Sequence, residues 1–207
     1  MIVLMSAFLL LSAFSCGGGN KANSTSEQNE ETVVNVPQFD ADSAYLYVKN
    51  QVDFGPRVPN TKEHVACGNY LAGQLEAFGA QVTNQYADLI AYDGTLLKAR
   101  NIIGSYKPES KKRIALFAHW DTRPWADNDS DEKNHKTPIL GANDGASGVG
   151  ALLEIARLVN QQQPELGIDI ILLDAEDYGA PQFYTGQHKE EFWCLGSQYW
   201  GRNPHVQ

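Results

Sequence analysis

Two short, nearly continuous apolar runs constrain this chain most: Arg113-Ile114-Ala115-Leu116-Phe117-Ala118 and Ile168-Asp169-Ile170-Ile171-Leu172-Leu173. Runs of this length without polar alternation suit strands covered on both faces. Between them, Ala146 to Val159 carries Val149, Leu152, Leu153, Ile155, Ala156 and Val159 at helical spacing, a helix of about four turns. Strand, helix and strand at this separation make a βαβ crossover, which joins parallel strands. The expected fold is α/β, a three-layer α/β/α sandwich around a mixed, largely parallel central sheet.

The preceding segments read as further layers of one domain. Asp40 or Asp42 can cap a helix that turns Ala44, Tyr45, Val48 and Val52 inward. The turn Phe54-Gly55-Pro56-Arg57-Val58-Pro59 interrupts it. Asn60 or Thr61 caps the next helix, with Val65, Cys67, Tyr70, Leu71, Leu75 and Phe78 inward and Gly79 as its stop. Strands are expected at 81–91 and 97–106, with turn signals at Asp93-Gly94 and Lys107-Pro108.

The first residues are of another kind. Met1 to Ser15 is almost wholly apolar, and the run is shorter than the roughly 20 residues a membrane-spanning helix needs. It reads as the apolar core of an export signal. Ala13 and Ser15 before Cys16 resemble a loose bacterial lipobox, although Phe14 departs from the strict pattern. Residues 1–16 are therefore expected to be a signal ending at a lipidated Cys16, the alternative being a plain cleaved signal with an incidental Cys. Residues 17–37, rich in Gly, Asn, Ser and Glu, read as a flexible tether, and 38–207 as the folded domain. The expected location is the bacterial cell envelope, as a periplasm-facing lipoprotein touching the membrane only through its lipid. Cys67 and Cys194 remain, and their separation in sequence does not establish a bridge.

The net charge of -9 and the absence of any Lys/Arg run argue against nucleic acid as a partner. Chemistry gathers instead where the central elements end. His119-Trp120-Asp121 closes the first apolar strand, Asn143-Asp144-Gly145 precedes the helix, and Asp174-Ala175-Glu176-Asp177 closes the last strand. In open α/β sheets, ligands collect beyond the carboxyl ends of the strands. One imidazole and four carboxylates on one rim repel each other unless a cation or hydrogen bonds offset them. Oxygen and nitrogen donors without thiolates suit a catalytic Zn²⁺. Read in isolation, Asp144 is more simply a helix N-cap, and Glu-Asp a solvated strand end.

Taken together, His119-Trp120-Asp121, Asn143-Asp144-Gly145-Ala146-Ser147-Gly148 and Asp174-Ala175-Glu176-Asp177 resemble the metal-site signatures of the peptidase M28 zinc aminopeptidases and the related glutaminyl cyclases. The Phe54–Pro59 turn and Leu195-Gly196-Ser197 are similar to the same group. The resemblance makes Asp144 and Asp177 zinc ligands and Glu176 the general acid/base; Asp177 stands where the family more often has Glu. It gives His119 a ligand role only if a second zinc is bound, and otherwise places His119 and Asp121 behind the ligands, orienting them. The family completes its zinc site with a distant His, so the resemblance also implies that the C-terminal part of the domain lies beyond Gln207.

The wording Asp174-Ala175-Glu176-Asp177-Tyr178-Gly179, Phe192-Trp193-Cys194-Leu195-Gly196-Ser197 and His119-Trp120-Asp121-Thr122-Arg123-Pro124-Trp125 is more similar to bacterial glutaminyl cyclases than to the aminopeptidases. The resemblance thus implies a one-zinc glutaminyl-peptide cyclotransferase acting on peptides or proteins with N-terminal Gln. The alternatives are a two-zinc aminopeptidase and a catalytically dead, envelope-anchored binding domain. Trp193 is a candidate wall of the substrate pocket, or an ordinary core Trp. His64 and His135 read as surface residues.

Overall fold

The computed structural model describes residues 35–206. Helix α1 (Ala41–Asp53) starts where expected: the Asp40 carboxylate accepts the backbone N–H groups of Asp42 and Ser43 at 3.0 and 3.1 Å. Helix α2 (Lys62–Ala77) is capped by Thr61, whose hydroxyl accepts the His64 N–H. Gly79, at φ +79°, supplies the left-handed turn that leads out of it. Strands β1 (Gln81–Ile90) and β2 (Leu96–Tyr106) form an antiparallel hairpin; β3 (Arg113–His119), helix α3 (Ala146–Gln161) and β4 (Gly167–Leu173) form the crossover.

The sheet order is β1-β2-β4-β3, with β2 antiparallel and β3 parallel to β4. The sheet is mixed, as expected. Its parallel share among the described residues is one pairing of three, because β1 and β2 enter as a hairpin rather than through a crossover. Alternation along the strands divides two layers. Ile102, Tyr106, Ile168, Ile170 and Leu172 face α2 and α3 in the main core, while Leu97 and Ala99 face Leu195 and Tyr199 of helix α4 (Leu195–Arg202) on the other side. Each core side chain of Leu or Ile size removed from water contributes about 1.5–3 kcal/mol.

Two inward assignments are corrected by the structure. Tyr45 is 72% exposed and Val65 is 56% exposed. Helix α1 packs on α3 through the neighbouring stripe that holds buried Gln51, and α2 turns His64, Cys67, Gly68, Leu71, Ala72 and Leu75 inward. The apolar spacing located both helices but set each face wrong at one residue, because a buried polar side chain sits on the true face of each. A Cβ at Gly150 would lie 2.6 Å from Val48 Cγ2 and 2.9 Å from the Ala44 carbonyl oxygen, so a glycine is what lets α1 approach α3.

No described helix is long and apolar enough to cross a membrane. The expected signal and Cys16 lie outside the described residues. Cys67 and Cys194 are both free thiols.

Candidate active site

The parallel pairing of β3 and β4 fixes where the chemistry lands. His119 is in register with Leu173, and the Trp120 N–H donates to the Leu173 carbonyl at 3.0 Å. Both strands therefore end together, and Asp121 and the 174–177 segment leave the sheet side by side.

Asp121 is fully buried, and its two carboxylate oxygens accept the backbone N–H groups of Glu176 and Asp177, each at 3.1 Å. One side chain thus fixes the backbone of both neighbours. The third element arrives from the loop before α3. Gly145, at φ +89°, lies so close to β3 that a Cβ would stand 2.9 Å from the Asp121 carbonyl oxygen. Arg57, fully buried, holds this loop from the Phe54–Pro59 turn by donating to the carbonyls of Leu140 and Gly141 at 2.7 and 2.9 Å and of Trp120 at 3.1 Å. The turn noticed in the sequence therefore ties the Asp144 loop to the end of β3.

Asp144 is not the side-chain cap of α3, whose N-cap is Gly145 without a side-chain bond. Its carboxylate accepts from His119 Nε2 at 3.0 Å. The other ring nitrogen of His119 lies 3.5 Å from Asp121 and 3.9 Å from Glu176. Burial alone would lower the His119 pKa, but the nearby carboxylates of Asp121, Glu176 and Asp144 outweigh it and raise it to about 9.

Asp177 is buried, with Arg123 Nη1 3.4 Å from Oδ1, while Oδ2 is buried without a hydrogen-bond partner. Burial first, then the charges of Asp121 and Asp144, push its pKa up to about 7 against the pull of Arg123. A buried carboxylate oxygen with no donor, in a residue that lines the same cleft as Asp144, fits a divalent cation. Among the described residues, no three His, Cys, Asp or Glu side chains are gathered so as to hold a metal ion by themselves.

Asp144, Asp177 and Trp193 line one cleft of about 330 Å³, with Arg123 and His188 also on its wall. The Trp193 ring lies 4.9 Å from the Arg123 guanidinium and against Gly179, where a Cβ would meet the indole. It is a wall residue of the cleft rather than a core Trp. Glu176 is half-buried beside this group, with the Cys194 thiol donating to its Oε1 at 3.2 Å.

Several residues of this region were not legible in the sequence. Arg123 makes a double contact with Asp127, both at 2.6 Å, and donates to the Asp177 carbonyl. His64, read as a surface residue, is 3% exposed; it bonds the fully buried Asp174 at 2.9 Å and stacks on Trp120 at 4.3 Å. Its spacing with Cys67, Gly68, Leu71 and Leu75 on one helix face was the available signal. His135 is partly exposed and bonds the Asp129 carbonyl.

Residues 101–207 match the model of peptidase family M28. The fold is similar to the crystal structure of the glutaminyl cyclase of Bacteroides thetaiotaomicron bound to N-acetylhistamine, at 94% identity and a TM-score of 0.83 over 84% of this chain and 59% of that one. It is equally similar to a leucine aminopeptidase precursor from Bacteroides thetaiotaomicron, at 94% identity and a TM-score of 0.84 over 84% of this chain and 60% of that one. The glutaminyl cyclase of Tannerella forsythia matches at 58% identity and a TM-score of 0.80 over 82% of this chain and 58% of that one. This chain spans about three fifths of the length of each.

Proposed function

The chain belongs to peptidase family M28, and on that premise we propose that it is the front part of a glutaminyl-peptide cyclotransferase, converting N-terminal Gln of peptides to pyroglutamate with release of ammonia. The observation that carries this reading is the joining of three chain segments at one cleft. Asp121 clamps the backbone of Glu176 and Asp177, and Asp177 shares the cleft with Asp144. Similarity to glutaminyl cyclases of two organisms supports the choice of reaction.

Asp144 and Asp177 would hold the zinc ion, which when bound supplies Lewis-acid polarisation of the substrate γ-carbonyl. The substrate's own α-amine attacks that carbonyl, a C–N bond forms, and the side-chain nitrogen leaves as ammonia. Glu176 accepts the proton from the amine and returns it to the departing nitrogen. Because nucleophile and electrophile belong to one residue, much of the orientation entropy is already met by the substrate. The cleft need admit only one small side chain, which a volume of about 330 Å³ walled by Trp193 suits.

An aminopeptidase reading rests on the similarity to the leucine aminopeptidase precursor and on His119 lying 3.0 Å from Asp144, where it could ligate a second zinc. There water is the nucleophile and Glu176 takes its proton. Full-length protein is expected to release ammonia from Gln-initiated peptides, and Glu176→Gln to lower that rate by roughly 10²–10⁴-fold while zinc is retained. Free amino acids without ammonia, with two zinc ions per chain, would instead establish the aminopeptidase.

The same proposal includes the leader. Residues 1–16 would direct export and leave Cys16 lipidated, and 17–37 would tether the 38–207 domain to the bacterial envelope. Labelling with a lipid precursor, lost in Cys16→Ser, tests this.

A further inference from the structure

Glu176 is held unevenly. Its backbone is locked from both sides, the N–H by Asp121 Oδ1 at 3.1 Å and the carbonyl by the Cys194 N–H at 2.9 Å. The Leu195 and Gly196 N–H groups continue this ladder onto the carbonyls of Ala175 and Asp174, both at 3.0 Å. The approach is so close that a Cβ at Gly196 would stand 2.1 Å from the Asp174 oxygen. The start of α4 is therefore pressed against the 174–176 segment by a ladder of backbone bonds.

The Glu176 side chain has far less. Three rotatable bonds separate its carboxylate from the locked backbone. His119 Nδ1, at 3.9 Å from Oε2, is beyond hydrogen-bond reach. Among the described residues, the Cys194 thiol is the one side-chain donor bonded to this carboxylate, reaching Oε1 at 3.2 Å. Cys194 itself sits at φ +54°, a left-handed position that aims its side chain back at Glu176, and its carbonyl is tied by the Ser197 hydroxyl at 2.8 Å.

We propose that Cys194 is a positioning residue: its S–H anchors one oxygen of the Glu176 carboxylate and leaves the other free to move the proton. The inference rests on the reading of Glu176 as the general acid/base. The thiol takes no part in bond making. Its pKa is pushed up to about 11, first by burial and then by Glu176, which keeps it a donor at working pH.

The test uses full-length protein and three variants. Cys194→Ala removes the donor without changing the backbone demand, and is expected to lower kcat roughly 3- to 10-fold at unchanged KM, the cost of one weak, non-reacting hydrogen bond. Cys194→Ser restores a donor and is expected to bring kcat back to within about twofold. A merely structural role would move KM, melting temperature or both, and would not distinguish Ser from Ala in this way.

The infrared S–H stretch, assigned to Cys194 by its disappearance in Cys194→Ser, reads the contact without substrate. It is expected to shift to the free-thiol position in Glu176→Ala. Wild-type kcat in Cys194→Ala, equal losses in Ala and Ser, or an S–H band indifferent to Glu176 would each overturn the proposal. Wild-type protein that releases no ammonia, yet whose S–H band answers to Glu176, would sink the cyclase reading and leave the thiol–carboxylate coupling standing.

Discussion

His64→Leu is the substitution whose cost follows most directly from the geometry. Asp174 is fully buried, and its carboxylate accepts from the Arg100 N–H at 2.6 Å, the Ala175 N–H at 2.7 Å and His64 Nε2 at 2.9 Å. His64 is its one side-chain donor among the described residues. Leucine keeps most of the volume beside Trp120 but no donor, and removing one partner of a buried pair costs about 3–5 kcal/mol. The two backbone N–H groups remain, so the lower end, about 3 kcal/mol, is expected. At roughly 2–4 °C per kcal/mol for a domain of this size, the melting temperature should fall by about 6–12 °C.

The loss should also depend on pH. Burial raises the Asp174 pKa, with Asp121 adding to it against the pull of His64. For a carboxyl raised in the folded state, stability is highest when both states are protonated and falls as pH climbs from the unfolded value, near 4, through the folded one. Without His64 the folded pKa rises further, so the deficit should grow as pH rises and shrink towards pH 4. Urea unfolding of the two proteins at several pH values reads this as a change in midpoint at constant slope. A midpoint unchanged at pH 7, or a deficit that does not shrink on acidification, would refute the reasoning.

Gly150→Ala should destabilise by about 1–3 kcal/mol, since the Ala44 carbonyl cannot yield without moving α1; a neutral effect in thermal melts would show that the two helices adjust freely. Asp127→Asn should blunt acid unfolding. The Arg123 hydrogen bond holds the Asp127 pKa below the usual carboxylate range, so the stability it contributes is present above about pH 4 and disappears as pH falls through the folded value. An acid transition identical to wild type would contradict that assignment.

The central crossover and its strand ends were legible because each apolar run suits a strand and parallel neighbours must finish on one edge; the expected cover on both faces holds for β4 but not for β3, an edge strand among the described residues with Ile114 48% and Phe117 47% exposed. That logic brought His119, Asp121, Asp144, Glu176 and Asp177 together before any coordinate. Three things were not legible. The helical spacing of His64 could signal its burial but not its partner, because Asp174 lies 110 residues away and no local pattern encodes that pairing. The role of Asp144 was ambiguous between helix cap and site residue, and the structure removes the first reading, since Gly145 and not Asp144 is the N-cap of α3. Arg123 was passed over because its meaning depends on Asp127 and Asp177 at once. Sequence periodicity reports burial along one element; buried polar pairs between elements are set by tertiary contact.

Asp177 shows why such a site costs stability, and the cost can be measured. In metal-free protein its Oδ2 is buried without a partner, and its pKa of about 7 lies some three units above that of a free Asp. At about 1.4 kcal/mol per unit this sets an upper bound of about 4 kcal/mol of destabilisation above pH 7, appearing as pH rises from near 4. Asn in its place removes the charge but leaves a buried amide imperfectly bonded, at about 1–3 kcal/mol. The balance favours the variant, so Asp177→Asn should be more stable than wild type in chelator at pH 8, by about 1–2 kcal/mol. If Asp177 is a zinc ligand, as proposed, zinc should reverse the order. An ion present at 100 times its dissociation constant stabilises wild type by about 2.7 kcal/mol, and the variant, lacking a charged ligand, should gain far less. The melting curves of the two proteins should therefore cross between chelator and zinc. If Asp177→Asn is the less stable protein in chelator, or keeps the full zinc-induced shift, then Asp177 is an ordinary buried acid and the metal belongs elsewhere.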